Sequence, residues 1–163
     1  MTVAELNGCE RYRFVAELGW VFEGAPWVAE RTWDRRPFAD LEHLHAAMMA
    51  IVGSAHPDER LALLCAHPDL GARTRMSQAS GEEQAGVGLD RLTEHEYREL
   101  GRLTTAYRQR FGFPFLFAVH GSTPADVRAA LSRRLSASTG EEQAEALAQV
   151  SRIARMRLQS VLE

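Results

Sequence analysis

The stretch EHEYRELGRLTTAYRQRFGFPFLFAV, residues 94–119, decides the fold class. Over residues 94–111 its apolar and aromatic side chains recur at steps of three and four, which predicts an amphipathic helix that Gly112 and Pro114 end. Residues 113–119 are almost wholly apolar and look like a β-strand, but the sequence offers no second strand-like run to pair with them. We therefore predict a buried connector here and an all-α fold.

The same periodicity predicts helices along the rest of the chain. They cover residues 9–22, 38–52, 58–65, 124–135 and 141–162, with a short element after Pro26 and a further helix that starts at Ser80. Residues 71–78 are polar and without period, so we predict a loop there. Because 163 residues suit one domain, we expect a single compact domain, residues 1–163, of about seven or eight helices.

The composition matches an ordinary globular protein and excludes several classes. The chain is 45% hydrophobic and 25% charged, and no run approaches the ~18 apolar residues of a membrane span. A formal charge of -3, with scattered arginines, gives no footprint for nucleic acid. Cys9 and Cys65 have no metal-ligand spacing, and the N-terminus lacks a signal-peptide pattern. We expect a soluble cytoplasmic protein without a metal site.

The segment CAHPDLG, residues 65–71, places a histidine at a helix exit. Pro68 disfavours the helical conformation for His67, so the imidazole is expected just beyond the predicted helix 58–65. A histidine with a pKa near ~6.5 holds and releases a proton at working pH, which suits a general acid or base. A histidine packed beside a proline and bonded to backbone is the alternative, and the spacing leaves both open.

The string SGEEQ, residues 80–84, also has two interpretations. Ser-x-x-Glu is the capping box, in which Ser80 and Glu83 satisfy backbone N–H groups at the start of a helix. Nearly the same string, residues 138–143, precedes the last predicted helix. One copy can be functional while the other only starts a helix, and the motif does not say which.

Arg157 falls inside the apolar arc of the last predicted helix, whereas Arg152 points almost the opposite way. An unpaired guanidinium there would cost several kcal/mol, so we expect Arg157 to meet an acidic side chain or an anionic ligand. A buried pair with a glutamate and a snorkelling side chain are compatible with the same pattern. The backbone groups of residues 113–119 also need partners, which local turns or a planar, amide-rich heterocycle would supply.

These motifs occur in an order that resembles the 2-oxo-4-hydroxy-4-carboxy-5-ureidoimidazoline (OHCU) decarboxylases of urate breakdown. The motifs that carry the resemblance are Glu17 to Glu23, Pro26-Trp27-Val28-Ala29, Arg36-Pro37-Phe38, His67-Pro68-Asp69-Leu70, Ser80-x-x-Glu83-Gln84, Gly88-Leu89, Tyr107, Phe111-Gly112-Phe113-Pro114-Phe115 and Arg157-Leu158. Thr104 departs from the asparagine that the family commonly has, which concerns one local hydrogen bond rather than the pocket.

The resemblance implies an all-α, cofactor-free homodimer that converts OHCU to (S)-allantoin with loss of CO2. It implies that His67 is the catalytic acid, which protonates one face of the substrate, and that Glu83 and Arg157 are its polar partners. The remaining wall of the substrate pocket would consist of Pro68, Ser80, Gly81, Glu82, Gln84, Phe115, Leu116, Phe117, Ala118 and Val119.

Two other functions are compatible with the residues alone. One is a helical interaction module whose apolar connector receives a segment of a partner protein. The other is a hydrolase of a related ureide, with His67 as base and Glu83 as the group that orients it. Release of CO2 from OHCU distinguishes a decarboxylase from both.

Overall fold

The computed structural model describes residues 1–162, and its regular structure over that range is entirely helical. The α-helices are α1 Val3–Gly8, α2 Arg11–Leu18, α3 Trp27–Thr32, α4 Leu41–Ser54, α5 Pro57–Cys65, α6 Gln78–Gly86, α7 Glu94–Phe111, α8 Pro124–Arg134 and α9 Thr139–Val161. A short 3-10 turn, Trp33–Arg35, continues α3. The predicted all-α fold is therefore confirmed for the described residues. None of the helices in that range combines the length and apolar character that crossing a membrane requires.

The helices pack as two compact units. The first comprises Met1–Ala66 and the part of α9 from Ser151 onward, and the second comprises His67–Val150. Each unit has a buried apolar core. The core of the first includes Leu6, Phe14, Leu18, Leu44, Met48 and Leu158, and the core of the second includes Tyr107, Phe113, Phe115, Val127, Leu131 and Ala146.

Helix α7 begins and ends where its sequence predicts. Thr93 and Glu96 form a capping box at its start, with each side chain accepting from the backbone N–H of the other residue. At its end Gly112 adopts a left-handed conformation, with φ of 79°, and donates its N–H to the carbonyl of Arg108. A glycine suits this position because it lacks the Cβ that makes positive φ costly.

The N-terminal segment differs from the single predicted helix over residues 9–22. It forms two short helices, because Cys9 and Glu10 both take extended backbone angles between α1 and α2. A capping box of Thr2 and Glu5 starts α1, a signal that the periodicity argument did not use. Local side-chain caps thus decide the helix boundaries where the apolar pattern is weak.

Candidate functional site

His67 lies directly beyond the C-terminal end of α5, as predicted. The helix ends at Cys65, and the N–H of Ala66 closes its last turn on the carbonyl of Ala62. Pro68 follows His67, and the chain forms no helix from residue 67 to residue 77. The His67 side chain is buried, with the residue only 6% exposed, so its imidazole is shielded from bulk water.

The loop that carries His67 is held against α6 by one buried hydrogen bond. The backbone N–H of Gly71 donates to the Oε1 atom of Gln84 at 2.8 Å. Gly71 has a φ of 73°, and a Cβ atom added there would lie 2.7 Å from Cδ2 of Leu100. The positive φ therefore favours glycine at this turn, and the Leu100 side chain would have to shift to admit a Cβ atom.

A second contact joins the same loop to α7. Arg108 donates to Oδ1 of Asp69 at 3.0 Å, and both side chains are partly exposed. Exposed ion pairs contribute little to stability, so this contact restrains the loop only weakly compared with the buried bond of Gly71. His67 thus belongs to a loop that is anchored at Asp69 and again at Gly71.

Helix α6 starts earlier than predicted, which corrects the interpretation of Ser80. The helix begins at Gln78, and the side chain of Ser77 accepts from the N–H of Ser80 at 3.2 Å. Ser77 is therefore the N-cap, and the prediction of a helix start at Ser80 is wrong. Ser80 instead lies within the first turn and is buried, 4% exposed.

Residues Ser80 to Gln84 therefore all lie within α6, and the helical turn decides which face each side chain occupies. Ser80, Glu83 and Gln84 share one face at helical spacing, on which Ser80 and Gln84 are buried and Glu83 is half-buried. Glu82 points away from this face, is exposed, and accepts from Gln78 at 2.8 Å. The face with Ser80, Glu83 and Gln84 is the polar side of α6 that is withdrawn from solvent.

The second copy of the serine motif does act as a cap. Ser138 donates its N–H to Glu141 at 2.8 Å, and Glu141 donates its N–H back to the hydroxyl of Ser138 at 3.2 Å. These reciprocal bonds form the capping box at the start of α9. The two similar strings therefore have different structural roles, a distinction that the sequence left open.

Residues 113–119 form a connector without helix or strand, as predicted. Its rings of Phe115 and Phe117 stack nearly parallel, with centroids 6.0 Å apart, which is typical of alternate residues in an extended chain. The carbonyl of Leu116 accepts from NH1 of Arg134 at 2.7 Å, and the N–H of Ala118 donates to Oε1 of Gln149 at 2.9 Å. Two side chains thus satisfy backbone groups that no strand pairs.

Phe117 stands between these two anchored residues. In an extended chain the backbone groups of consecutive residues point to opposite edges, so the Phe117 N–H and C=O face away from the edge that Leu116 and Ala118 present. Within residues 1–162 neither group of Phe117 makes a hydrogen bond, and the residue is half-buried. The Phe117 peptide thus has one donor and one acceptor that no other residue within 1–162 binds.

Arg134 belongs to a buried polar network that the sequence analysis missed. Its Nε and NH2 atoms donate to the two carboxylate oxygens of Glu142, each at 2.9 Å, and its guanidinium lies 4.5 Å from the ring centre of Phe115. Tyr107 donates its hydroxyl to the same carboxylate. Burial, then the hydrogen bond and charge of Glu142, raise the pKa of Tyr107 well above its ordinary value.

A signal for this network was present in the sequence. Val127, Leu131 and Arg134 recur at steps of four and three on α8, so Arg134 falls on an apolar face in the same way as Arg157. Its partner Glu142 was not readable from spacing, because it lies on the next helix. Tyr107, which donates to the same carboxylate, lies 35 residues earlier in the chain. Gln149 lies three residues after Ala146 and four before Ile153, so it too falls on an apolar face of its helix.

Arg157 is buried in the first unit, with only 3% of the residue exposed. Its NH1 atom lies 3.2 Å from Oε2 of Glu23 and also donates to the carbonyls of Val21 and Trp20, at 3.3 and 3.4 Å. Glu23 is therefore an acidic partner of the kind that the apolar surroundings of Arg157 required. Arg152, five residues earlier on α9, is exposed, as its helical position predicts.

Thr104, the departure noted in the sequence, turns its hydroxyl back to its own helix. The Oγ1 atom donates to the carbonyl of Gly101 at 3.1 Å, and the residue is buried. This bond satisfies the hydroxyl within α7. Thr104 therefore needs no partner beyond its own helix.

The predicted site residues divide between the two units. His67, Pro68, residues 80–84 and residues 115–119 belong to the second unit, whereas Arg157 belongs to the first. Within the second unit, the bond from Gly71 to Gln84 brings the His67 loop to the buried face of α6.

The chain is similar to known proteins over nearly its whole length. A family model described as OHCU decarboxylase matches residues 7–159. A protein from Halalkalicoccus jeotgali named 2-oxo-4-hydroxy-4-carboxy-5-ureidoimidazoline decarboxylase is 42% identical over 161 residues, which cover 99% of this chain and 92% of that protein.

Two longer proteins are also similar. The uric acid degradation bifunctional protein PucL of Bacillus subtilis is 40% identical over 99% of this chain, which spans 33% of that protein. A crystal structure titled (S)-allantoin synthase superposes with a TM-score of 0.82 at 34% identity, covering 99% of this chain and 54% of that one. The chain therefore matches only about half of the length of that solved structure.

Proposed function

Because the chain belongs to the OHCU decarboxylase family, we propose that it converts OHCU to (S)-allantoin and CO2 in the degradation of urate. The observation that carries the proposal is the buried His67, on a loop that Gly71 and Gln84 join to the face of α6 with Ser80 and Glu83. This arrangement supports a proposed proton donor on a loop that is bonded to the face of α6 with Ser80 and Glu83.

The substrate provides its own electron sink for the loss of CO2. When the bond from C4 to the carboxylate breaks, its electron pair forms a C4=C5 double bond, and the electrons of the adjacent C5=N bond take up a proton at nitrogen. The resulting enaminol then loses its hydroxyl proton and gains a proton at C5, which gives allantoin. The protein therefore needs to hold the substrate, ease the departure of CO2 and deliver one proton to one face of C5.

We assign the proton delivery to His67. An imidazolium has a pKa close to neutral pH, so it gives up a proton readily and regains one from water. The anchors at Asp69 and Gly71 restrict the His67 loop, which supports protonation from a fixed direction. That direction would set the hand of the product.

Glu83 and Arg157 are proposed as polar partners of the substrate. Glu83 is half-buried on the same face of α6 as Gln84, where a carboxylate can stabilise an imidazolium or accept from ureido N–H groups. Arg157 has a planar guanidinium that matches an anionic substrate. Its NH1 atom also lies 3.2 Å from Oε2 of Glu23, a contact that holds the side chain in one orientation.

The remaining wall is proposed to come from Pro68, from Ser80, Gly81, Glu82 and Gln84 on α6, and from residues 115–119. The Phe117 peptide is the best supported part of the connector, since its N–H and C=O have no hydrogen bond within residues 1–162. Glu82 is the least supported, because its side chain is exposed and accepts from Gln78.

We further propose one catalytic domain over residues 1–163 that acts as a cytoplasmic homodimer. Residues from both units fall within the family match, which supports a single domain. Exposed Tyr12, Trp20 and Leu61, all in the first unit, are candidates for the dimer surface. Light scattering of the purified protein would measure its mass in solution, and a mass of 18.2 kDa would refute the dimer.

The function is tested with freshly generated OHCU in the absence of added cofactor. We expect the protein to release one CO2 for each allantoin formed, well above the spontaneous rate. Consumption of OHCU without CO2 would instead support the hydrolase, and unchanged spontaneous rates would support the interaction module.

A further inference from the structure

Gln149 on α9 makes two hydrogen bonds with its buried side-chain amide. The residue is 3% exposed, and its Oε1 atom accepts from the N–H of Ala118 at 2.9 Å. Its Nε2 atom donates to Oε1 of Glu145, one helical turn earlier, at 2.6 Å. All three residues belong to the second unit.

These two partners fix the orientation of the amide without ambiguity. The Ala118 N–H can only donate, so it requires the oxygen of Gln149. The ionised carboxylate of Glu145 can only accept, so it requires the nitrogen. The two demands agree, and a flipped amide would lose both bonds. Glu145 thus holds the acceptor of Gln149 against the connector.

Gln149 and Arg134 together restrain one edge of the connector. Arg134 binds the carbonyl of Leu116, and Gln149 binds the N–H of Ala118, which lies two residues further and on the same edge. The peptide groups of Phe117 between them must then face the opposite edge. The restraint therefore sets the direction in which the free N–H and C=O of Phe117 point.

We propose that Gln149 is a positioning residue for the decarboxylation, acting through Ala118 on the Phe117 peptide; this rests on the proposed function. Gln149 binds the Ala118 N–H on one edge of the connector, so that the Phe117 N–H and C=O stay on the opposite edge, aligned for an amide-like part of the substrate. Preorganised hydrogen-bonding groups spare a ligand the cost of ordering them. Loss of Gln149 should therefore weaken substrate binding more than it slows the chemical step.

The test compares Gln149→Met with the matched control Gln143→Met. Methionine is close to glutamine in length but gives the Ala118 N–H no strong acceptor, whereas Gln143 is an exposed residue of the same helix. We expect Gln149→Met to raise the KM for OHCU about tenfold with kcat within about threefold of wild type. Gln143→Met should leave both constants unchanged. Hydrogen exchange of residues 115–119 should accelerate only in Gln149→Met.

Glu145→Ala is the second variant, for the case in which Gln149→Met does not fold. It removes the carboxylate that orients the amide but leaves Oε1 available, so we expect a KM rise of about threefold. A merely structural role would lower the melting temperature and the active fraction while KM stayed at the wild-type value. An unchanged KM with a lowered melting temperature, in either folded variant, would overturn the positioning role.

Failure of the proposed function has a different signature. Wild-type protein that does not turn over OHCU would refute the decarboxylase and the positioning role together. Wild-type turnover with an unchanged KM in the folded variants would refute the positioning role alone.

Discussion

The side-chain oxygen of Gln84 accepts the backbone N–H of Gly71 at 2.8 Å, and this buried bond joins the His67 loop to α6. Both groups are withdrawn from solvent, so neither can exchange its partner for water without local opening. The bond holds the loop that follows His67 against α6. Several predictions about stability and activity depend on it or on the buried pairs near the predicted site.

Gln84→Met should destabilise the protein by about 1–3 kcal/mol. The substitution keeps the volume but removes the acceptor, so the Gly71 N–H is left buried and unsatisfied. Chemical denaturation measures the free energy of unfolding, and Gln78→Met, at an exposed position of α6, is the matched control. An unfolding free energy equal in the two variants would contradict the anchoring role.

Gly71→Ala and Gly101→Ala should have opposite effects on stability. At Gly71 the φ of 73° and a Cβ only 2.7 Å from Leu100 predict a loss of about 1 kcal/mol or more. At Gly101, in the middle of α7, an added Cβ meets nothing within 4 Å, so alanine should stabilise by about 0.5–1 kcal/mol. Thermal melts of both variants check the sign, and a stabilised Gly71→Ala would refute the proposed strain.

Arg157→Met should cost about 3–5 kcal/mol of stability, because it leaves the largely buried carboxylate of Glu23 without this cation. Arg152→Met, at an exposed position on the same helix, should change stability by less than about 0.5 kcal/mol. Melting curves recorded beside OHCU kinetics separate loss of fold from loss of binding. A fully stable Arg157→Met variant would show that the pair with Glu23 contributes little.

Tyr107→Phe should change how stability depends on alkaline pH. Burial and Glu142 raise the pKa of Tyr107, so above pH 10.0 the unfolded chain releases this proton while the folded chain keeps it. The folded state then binds more protons, and stability falls with rising pH by about 1.4 kcal/mol per unit from this group. Stability is unaffected by this group below that pH.

The comparison that isolates Tyr107 uses denaturation at several pH values between about 9 and 12. Tyr107→Phe should show a shallower alkaline loss of stability than wild type, although its stability at neutral pH is lower because Glu142 loses a donor. Tyr12→Phe, at a position 78% exposed, should retain the wild-type slope. Equal slopes in all three proteins would contradict the raised pKa.

Much of the fold was predictable because its signals are local. The periodicity of residues 94–111 and the stop at Gly112 defined α7. The apolar arc of α9 identified Arg157 as a cation that needs an acidic partner or an anionic ligand, and Glu23 is such a partner. The start of α6 was predicted wrongly because serine is a good N-cap residue and both Ser77 and Ser80 were available. Only the structure shows that the hydroxyl of Ser77 caps the helix, by accepting from the N–H of Ser80.

The supporting network of the site was not predictable from one sequence. Arg134 was identifiable as a cation on an apolar face, but its partner Glu142 directly follows Glu141 of the capping box, where the motif accounts for the acidic residues by capping alone. The bond from Ala118 to Gln149 joins residues 31 positions apart and leaves no periodic trace. Contacts of this kind depend on how helices pack, which local propensity does not specify.

The most direct test of the central claim is the circular dichroism of allantoin formed from OHCU by wild type, His67→Asn and His95→Asn. His95 is an exposed histidine of α7, so His95→Asn should match wild type and yield (S)-allantoin far faster than the spontaneous reaction. His67→Asn, with an unchanged melting curve, should lose at least about a hundredfold in rate and give no excess of one enantiomer. Undiminished formation of (S)-allantoin by folded His67→Asn would contradict the assignment of His67 as the proton donor.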